Sequence, residues 1–402
     1  MVRLPGVART GLPALPHGTP EQRKDLVKIV CQVALRPAPD TARGEGGGAA
    51  PEVRRTSASY QGIFFGTVTD DHAHLLERAR RRVGTSLRRG KYALTGLLGV
   101  GAMGAVYEAV HRNGMRVAIK LLHEELSQSE MLRARFLREG YIANKVQHAA
   151  LVRVLDDDVD DDGATFLVME LLKGNTLTTE WEANGRVLAA GRVVEIANAL
   201  LDVLEAVHAH GIIHRDIKPD NIFFTLERQL KLLDLGIARL LHEERMTVSG
   251  QMMGTAEFAA PEQAGGRIRE IDGRTDLYSV GALMFMLLSG REVHEARTSM
   301  EGMIFAATRP ARSLRDVWPG VPSALAQVVD VALCFEKERR WSSAAEMRIA
   351  LGHAARFVDG LPPAPKPPPQ APLIGPMGTV IMESRPPPSE EPVPLVKPGR
   401  RR

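Results

Sequence analysis

Two polar stretches decide how this chain is read, His214-Arg-Asp-Ile-Lys-Pro-Asp-Asn221 and Leu232-Leu-Asp-Leu-Gly236. Asp216 and Asn221 share the first stretch, which lies between an amphipathic helical pattern and a short apolar strand. A carboxylate can accept the proton of a hydroxyl group, and an amide oxygen can bind a metal ion. Asp234, in the second stretch, adds a carboxylate that can chelate Mg²⁺. The two stretches therefore predict a metal-assisted catalytic site on two loops.

A glycine-rich stretch, Gly99-Val-Gly-Ala-Met-Gly104, comes earlier in the chain. Its glycines allow a tight turn to bring backbone N–H groups close to phosphate oxygens without Cβ clashes. Dinucleotide-binding turns carry the same pattern, but there a helix follows the third glycine. Here Ala105-Val-Tyr-Glu-Ala-Val110 continues as a strand. The pattern therefore favours a strand–loop–strand flap over phosphates and argues against a dinucleotide fold.

A lysine at the end of an apolar strand, Val117-Ala-Ile-Lys120, would by itself be read as a surface residue. The next segment shows helical periodicity and carries Glu139, 19 residues after Lys120. A carboxylate on that helix can hold the lysine against the α- and β-phosphates of a nucleotide. The pair therefore indicates a nucleotide-binding role for Lys120.

In this order the motifs resemble those of the Hanks-type protein kinases, and most of all the bacterial serine/threonine kinases, over about residues 90–355. The resemblance implies an α+β, two-lobed protein-kinase fold, with a small β-rich N-lobe over 91–170 and a larger helical C-lobe over 171–355. It implies ATP and Mg²⁺ (or Mn²⁺) as cofactors. It also implies transfer of the γ-phosphoryl group to Ser or Thr of protein substrates.

The resemblance further implies roles for individual residues. Catalytic roles fall on Asp216 as the base, Lys218, Lys120 and Glu139, and metal binding falls on Asn221 and Asp234. Nucleotide contacts fall on the glycine loop, the lysine strand and the hinge, with Met169 as the gatekeeper: Leu98, Gly99, Gly101, Gly104, Val106, Ala118, Lys120, Met169, Glu170 and Leu172. Thr247 and Ser249 are the expected phosphorylation sites, because Arg215 can pair with a phosphate on that loop.

Two downstream features favour a protein substrate over a small molecule. The stretch Gly254–Glu262 resembles the end of an activation segment, and Glu262 is expected to pair with Arg340, or alternatively with Arg339. The segment from Asp276 is apolar almost all round, as a buried helix should be. Two alternatives remain open, a pseudokinase or signalling scaffold and a small-molecule phosphotransferase.

Two departures from the family pattern affect packing and leave the chemical groups intact. Leu235 replaces the usual Phe after the metal-binding aspartate, and its smaller volume is expected to loosen the packing there. Gly140, next to Glu139, costs the helix up to about 1 kcal/mol relative to alanine. The helix is therefore expected to be easier to displace.

An acidic stretch, Asp158-x-Asp-x-Asp-Gly163, begins like a calcium-binding loop. The twelfth position of such a loop should be a bidentate glutamate, but here it is Met169. The residues that follow Gly163 also read as a strand. The stretch is therefore interpreted as the acidic tip of a hairpin.

The flanks differ in composition from the centre. Residues 1–60 are predicted to be a low-complexity flexible segment, 61–90 a basic helical lead-in, and 361–402 a disordered tail that holds 14 of the 26 prolines. Residues 1–92 carry 16 basic against 8 acidic residues. The arginine-rich run over 78–89 is interpreted as a solvated helix end, so no nucleic-acid partner is expected. The proline-rich tail suggests an SH3-like partner.

The remaining expectations concern the cell compartment and assembly. Cys31 and Cys334 are too far apart in sequence for a metal-ligand pattern, and two cysteines form no disulfide framework, so a reducing setting is expected. The apolar runs fall short of a membrane span, and the proline-broken start lacks the apolar stretch of a signal peptide. The expected location is cytoplasmic. A dimer is expected for autophosphorylation in trans.

Overall fold

The computed structural model describes residues 68–101, 103–234, 256–358, 360–361 and 364, with the side chains of 68–72 and 139 excluded. All of these residues belong to one compact unit. The predicted flexible segment 1–60 and almost all of the predicted tail 361–402 lie outside the described residues.

The first part of this unit is an antiparallel sheet of six strands in the order β1-β2-β3-β4-β6-β5. Its strands are β1 Ser86–Leu87, β2 Tyr92–Val100, β3 Gly104–His111, β4 Arg116–Leu122, β5 Val154–Val159 and β6 Thr165–Met169. The helices that accompany the sheet are α1 Val68–Arg81, α2 Glu124–Ser127 and α3 Glu130–Val146. The sheet thus begins at Ser86, ahead of the expected lobe boundary at residue 91.

Strand β4 is buried on both faces, because different elements cover the two sides of the sheet. Val117, Ile119 and Leu121 belong to a core cluster that Leu75 and Leu76 of α1 cover. Successive side chains of a strand point to opposite faces, so the residues between them face the other way. Leu122 accordingly packs with Phe136 of α3. Lys120 shares this second face, which is the side where the predicted site lies.

Gly140 has a packing role that its helix propensity does not reveal. A Cβ at this position would lie 3.1 Å from both methyl groups of Leu167 and 3.3 Å from a methyl group of Val154. Real Cβ contacts are rarely this short, so the missing side chain allows α3 to lie close against β5 and β6. The structure therefore gives Gly140 a reason to be present, in addition to the propensity cost expected from the sequence.

The second part of the unit is mainly helical. Its helices are α4 Leu177–Ala183, α5 Ala190–Ala209, α6 Pro261–Ala264, α7 Gly273–Ser289, α8 Ser299–Thr308, α9 Leu314–Val317, α10 Ser323–Ala332 and α11 Ala344–Ala354. A small sheet in the order β7-β8-β9 joins Gly174–Thr176, Ile222–Thr225 and Leu230–Leu232. The expected two-lobed α+β fold is confirmed. In the described ranges, no helix combines the length and apolar character that a bilayer span requires.

Helix α7 is the central element of the helical part. Every residue from Thr275 to Ser289 is buried, which confirms the predicted buried helix. Asp272 caps its start by accepting a hydrogen bond from the backbone N–H of Arg274, and Gly290 ends it at φ 68°. Because other helices surround α7, its first turn is held rigidly and can fix the position of a loop that bonds to it.

The basic run after α1 is ion-paired with the acidic turn between β5 and β6. Arg82 Nη2 lies 3.0 Å from the Asp162 carboxylate, Arg88 Nε lies 2.9 Å from that of Asp158, and Lys91 Nζ lies 3.3 Å from that of Asp156. The backbone N–H of Arg88 also donates to Asp160 at 2.7 Å. Since β1 and β5 are the two edges of the sheet, the contacts join its opposite ends. We call this set of pairs the edge clasp.

The edge clasp adds ion pairs that the sequence analysis did not predict to two features that it did. The basic run is an exposed helix end, as predicted, and it is also ion-paired: Arg82 and Arg88 bind the hairpin, and Arg78 binds Glu124 and Glu125 of α2. The acidic stretch forms a hairpin tip between β5 and β6, as predicted. Among the described residues, no group of three or more His, Cys, Asp or Glu side chains is placed to hold a metal ion. The two charged stretches neutralise each other.

We expect the Arg82→Gln/Arg88→Gln double variant to unfold at a lower temperature than the wild type at low salt. Exposed ion pairs contribute about 0–1 kcal/mol each, so the loss in free energy of unfolding should be at most about 2 kcal/mol. The difference should shrink in about 1 M NaCl, where the screening length falls to about 3 Å.

Thermal unfolding at low and high salt measures both effects. Arg81→Gln is the matched control, because Arg81 pairs with Glu77 within α1 and not with the hairpin. A deficit that is equally large at both salt concentrations would show that the clasp does not act through charge.

Candidate active site

The carboxylate of Asp216 is held by two side chains of its own loop. Asn221 Nδ2 donates to the backbone carbonyl of Asp216 at 2.7 Å and to its Oδ2 at 2.9 Å. Lys218 Nζ lies 3.2 Å from the same Oδ2. A 3₁₀ turn over Pro219–Asn221 bends the chain back, so that Asn221 reaches Asp216. The structure thus brings the predicted base and its two loop partners together around one oxygen.

His214 connects this loop to the segment that carries Asp234. Its ring is fully buried, Nδ1 accepts from the backbone N–H of Asp216 at 3.3 Å, and Nε2 lies 3.3 Å from the carbonyl oxygen of Leu233. Burial lowers the pKa of His214, because the charged ring would lose its solvation. Only a neutral ring protonated on Nε2 makes both bonds. His214 is therefore a fixed bridge between the two loops.

Asp276, in the first turn of α7, holds the catalytic loop through its backbone. Its buried carboxylate accepts from the backbone N–H groups of His214 at 2.8 Å and Arg215 at 2.7 Å. His208 Nε2 lies 2.8 Å from the same carboxylate. A buried carboxylate is costly unless it is hydrogen-bonded, and these donors compensate it. The sequence placed Asp276 at the start of a buried helix but did not reveal this contact; an acid in an otherwise apolar helix is the signal for it.

Two residues of the site adopt left-handed backbone conformations. Arg215 has φ 65° and Asp234 has φ 48°. Such conformations cost a non-glycine residue on the order of 1–3 kcal/mol and persist where the surroundings enforce them. At Arg215 the N–H is held by Asp276, and the carbonyl accepts from Gln263 Nε2 at 3.0 Å. The strained peptide is therefore fixed on both sides.

Lys120 and Asp234 meet across the site although 114 residues separate them. The Nζ atom of the buried Lys120 lies 2.5 Å from Oδ1 of Asp234, and the Asp234 carboxylate is half exposed. The predicted helix that carries Glu139 is present as α3. The side chain of Glu139 lies outside the described part of the chain, so the expected Lys120–Glu139 pair stays a prediction.

The residues around Asp234 fit a divalent cation. Both bonds from the Asn221 side chain to Asp216 use the amide nitrogen, so its amide oxygen is the atom that could bind a metal. The backbone N–H of Leu233 donates to the Asn221 carbonyl at 2.8 Å, which holds the two loops side by side. Mg²⁺ prefers carboxylate and amide oxygens and binds through one or two protein ligands plus phosphates and water. Asn221 and Asp234 supply that donor set.

The glycine loop joins β2 to β3, and the N–H of Gly101 closes it by donating to the carbonyl of Gly104 at 2.9 Å. A Cβ at Gly104 would lie 2.1 Å from the backbone oxygen of Leu121, so only glycine lets β3 run this close to β4. Sequence reasoning linked this glycine to phosphate access alone. It also missed His123, whose Nε2 lies 2.9 Å from the carbonyl oxygen of Gly101.

The sheet register gathers several of the predicted nucleotide contacts on one face. Val106 is paired with Lys120, and Ala118 is paired with Met169. Directly paired residues of antiparallel strands point to the same face. Leu98, close to the end of β2, and Leu172, three residues after the end of β6, are both half-buried.

Glu170 uses its side chain elsewhere. Its carboxylate accepts from Lys231 Nζ at 2.7 Å and from the backbone N–H of Arg153 at 2.9 Å. A nucleotide contact by Glu170 would therefore involve its backbone.

Glu262 and Arg340 form the predicted buried ion pair, and Arg339 is not involved. The guanidinium and the carboxylate make two parallel bonds of 2.8 Å. Thr275 donates to the same carboxylate at 2.8 Å. Burial alone would raise the pKa of Glu262, but the hydrogen bonds from Arg340 and Thr275 hold it below its usual value. Arg339 is exposed and lies 3.9 Å from Glu336.

The activation segment lies outside the described residues. Residues 235–255 are not described, and they include Leu235, Thr247 and Ser249. The expectations about loosened packing at Leu235 and about phosphorylation therefore rest on the sequence.

Residues 92–352 match the family model described as protein kinase domain. The chain therefore belongs to the protein kinase family, as its fold and its two catalytic loops indicate. Its catalytic domain is of the Hanks type found in bacterial serine/threonine kinases.

Individual relatives support this placement. The chain is 39% identical over 271 residues to serine/threonine-protein kinase Pkn1 of Myxococcus xanthus, covering 66% of this chain and 38% of Pkn1. It is 32% identical over 307 residues to serine/threonine-protein kinase PknA of Mycobacterium tuberculosis, covering 74% of this chain and 69% of PknA. The crystal structure of the M. tuberculosis PknI kinase domain is similar with a TM-score of 0.53 at 25% identity, covering 68% of this chain and 98% of that domain. The chain spans less than half the length of Pkn1.

We expect Arg340→Met to lower the free energy of unfolding by about 3–5 kcal/mol, because it leaves the Glu262 charge buried without its partner. The Glu262→Gln/Arg340→Met double variant should recover part of this loss, since no buried charge remains. Urea unfolding at neutral pH measures both values. A double variant that is less stable than Arg340→Met alone would contradict the account.

The same pair should contribute to acid sensitivity. A carboxylate whose folded pKa is depressed adds stability that is complete above the unfolded value of about 4.3 and is lost as pH falls through the folded value. The wild type should therefore lose this contribution below about pH 4. In the double variant this component should be absent, so its stability should change less with pH in that range.

Proposed function

We propose that this protein transfers the γ-phosphoryl group of ATP to serine or threonine hydroxyls of proteins, with Mg²⁺ (or Mn²⁺) as the metal ion. One observation carries the proposal: Asp216 is held at Oδ2 by Lys218 and Asn221, and the buried Lys120 meets Asp234 beside this loop. These residues supply a base, phosphate-binding cations and metal ligands within one site. The names of the relatives support the choice of serine and threonine.

Each group has a role that its chemistry allows. Bound MgATP supplies the phosphoryl group and a cation that neutralises charge on the phosphates. Asp216 accepts the proton of the substrate hydroxyl, and Lys218 offsets charge next to it. Lys120 would bind phosphate oxygens with Glu139 behind it, and Asn221 and Asp234 would hold the metal ion. Catalysis of this kind consists mostly of positioning and charge neutralisation, which suits a loop fixed by Asp276.

Two alternative functions are less well supported. A pseudokinase or scaffold would not need the contacts that hold Asp216, Lys120 and Asp234 together. A small-molecule phosphotransferase would not need the Glu262–Arg340 pair and the buried helix α7, which belong to the protein-kinase pattern. Protein substrates are therefore the better proposal.

Regulation is proposed from the sequence. By resemblance to the family, a phosphate on Thr247 or Ser249 would pair with Arg215. The charge-assisted hydrogen bonds between them would then order the activation segment. Autophosphorylation in trans would require a transient dimer. The proline-rich tail offers extended segments to an SH3-like domain. We also propose a cytoplasmic location, because the two-cysteine composition suits a reducing compartment.

Asp216→Asn should slow phosphoryl transfer by about 10²–10⁴-fold, the range typical of a lost general base. Asp234→Asn and Lys120→Met should abolish transfer without unfolding the protein, because they remove the metal and phosphate contacts. Incubation with labelled ATP and Mg²⁺ measures transfer to the protein itself and to a generic Ser/Thr substrate.

Asp202→Asn is the control, because this surface carboxylate of α5 pairs with His148 and Arg348, away from the loops. Undiminished transfer by the Asp234 variant would refute the metal role. A wild type that transfers nothing would favour the pseudokinase.

Thr247→Ala/Ser249→Ala should remove the main phosphosites of the active protein and lower its activity. Phosphosite mapping by mass spectrometry identifies the modified residues. If the reaction occurs in trans, wild-type protein should phosphorylate the inactive Asp234→Asn variant at the same positions. Active wild-type protein without phosphate on either residue would contradict this regulation.

A further inference from the structure

His123 follows β4 directly and contacts the glycine loop twice. Its backbone N–H donates to the carbonyl of Met103 at 2.9 Å, and Nε2 of its ring lies 2.9 Å from the carbonyl oxygen of Gly101. Both acceptors belong to the turn between β2 and β3. The side chain of Met103 packs against the cluster of Leu122 and Phe136. Gly101 and Met103 are therefore both tied to the residue that follows β4, and Met103 packs on the side of α3.

The position of His123 links two phosphate-facing elements. It lies three residues after Lys120, at the end of the strand that carries the lysine. β4 is paired on both sides, with β3 and with β6, so it is a rigid support. The bond from the His123 ring to the Gly101 carbonyl therefore joins the loop to the end of the strand that carries Lys120.

The chemistry of the ring suits a fixed donor. Burial lowers the pKa of His123, so the ring is neutral, and the carbonyl of Gly101 can only accept. The proton therefore lies on Nε2. A glycine-rich turn has more conformational freedom than any other and loses it when it orders around a ligand. A contact that orders the turn beforehand lowers this cost and so favours binding.

We propose that His123 is a positioning residue of the nucleotide site, which holds the glycine loop at its Gly101 carbonyl and so fixes Gly101 relative to Lys120. The inference rests on the proposed function, in which this loop covers the phosphates of ATP. His123 touches no substrate atom in this role, and it acts through the loop backbone. The Met103 bond uses only the backbone of His123, so side-chain variants remove one of the two ties and leave the other.

Three variants test the role. His123→Ala deletes the donor. His123→Gln keeps an N–H donor at the same number of bonds from Cα as Nε2. His111→Ala is the matched control, because His111 lies at the opposite end of β3 from Gly104, where its ring contacts Tyr92 and the Asn113 N–H.

Two ligands distinguish an effect of a variant on the glycine loop from an effect on the rest of the nucleotide site. MgATP has the phosphates that the loop would cover, and adenosine lacks them. We expect His123→Ala to weaken MgATP binding about 3- to 10-fold, the effect of one lost hydrogen bond, and to raise KM for ATP by a similar factor. Adenosine binding should stay unchanged, His123→Gln should recover most of the loss, and His111→Ala should match the wild type. Calorimetric titration measures both ligands on the full chain.

The outcomes distinguish failure of the positioning role of His123 from failure of the proposed function. If wild type binds both ligands and His123→Ala binds MgATP equally well, the positioning role is overturned and the proposed function stands. If His123→Ala weakens MgATP and adenosine by the same factor, the residue is merely structural and the inference also fails. If the wild type itself binds neither ligand, the proposed function fails, and the inference fails with it.

Discussion

The catalytic geometry depends on one buried carboxylate. Asp276 lies in the first turn of α7, and the burial of that helix on all sides fixes its position. Its carboxylate accepts hydrogen bonds from the N–H groups of His214 and Arg215. These bonds hold the loop in place, including the left-handed backbone of Arg215. His214 then extends the constraint to Leu233, next to Asp234. Packing in the helical part thus determines where Asp216, the proposed base, and Asp234, the proposed metal ligand, stand relative to each other.

The N-terminal part is stabilised differently, because its sheet has two edge strands, β1 and β5, that each lack a neighbour on one side among the described strands. Antiparallel pairing fixes the register that puts Val106, Ala118 and Lys120 on one face. The edge clasp joins the outer strands by charge, outside the hydrogen-bonded ladder. The missing side chains at Gly104 and Gly140 permit the close approach of β3 to β4 and of α3 to the sheet. Support for the predicted nucleotide site therefore comes partly from residues outside it, namely Gly140 and the members of the edge clasp.

Charge and propensity in the sequence did not reveal which partners these residues meet in the folded chain. The sequence predicted a solvated helix end for the arginine-rich run and a hairpin tip for the aspartate-rich stretch, but it did not reveal that the two pair across about 70 residues of chain. Gly140 suggested a weakened helix, whereas its neighbours in space show a packing requirement. In each case the decisive partner is distant in sequence. A local pattern contains no information about such a partner, because its position depends on how the sheet curls.

The sequence by itself determined the fold family, the order of the elements and the composition of the catalytic loop. Asp216, Lys218 and Asn221 lie within one short loop, so their proximity follows from local chain geometry. Only the tertiary structure decided that Lys120 meets Asp234, that Arg340 and not Arg339 pairs with Glu262, and that His123 reaches Gly101. The physical reason is that contacts between distant segments depend on strand register and helix packing, which are properties of the whole folded chain.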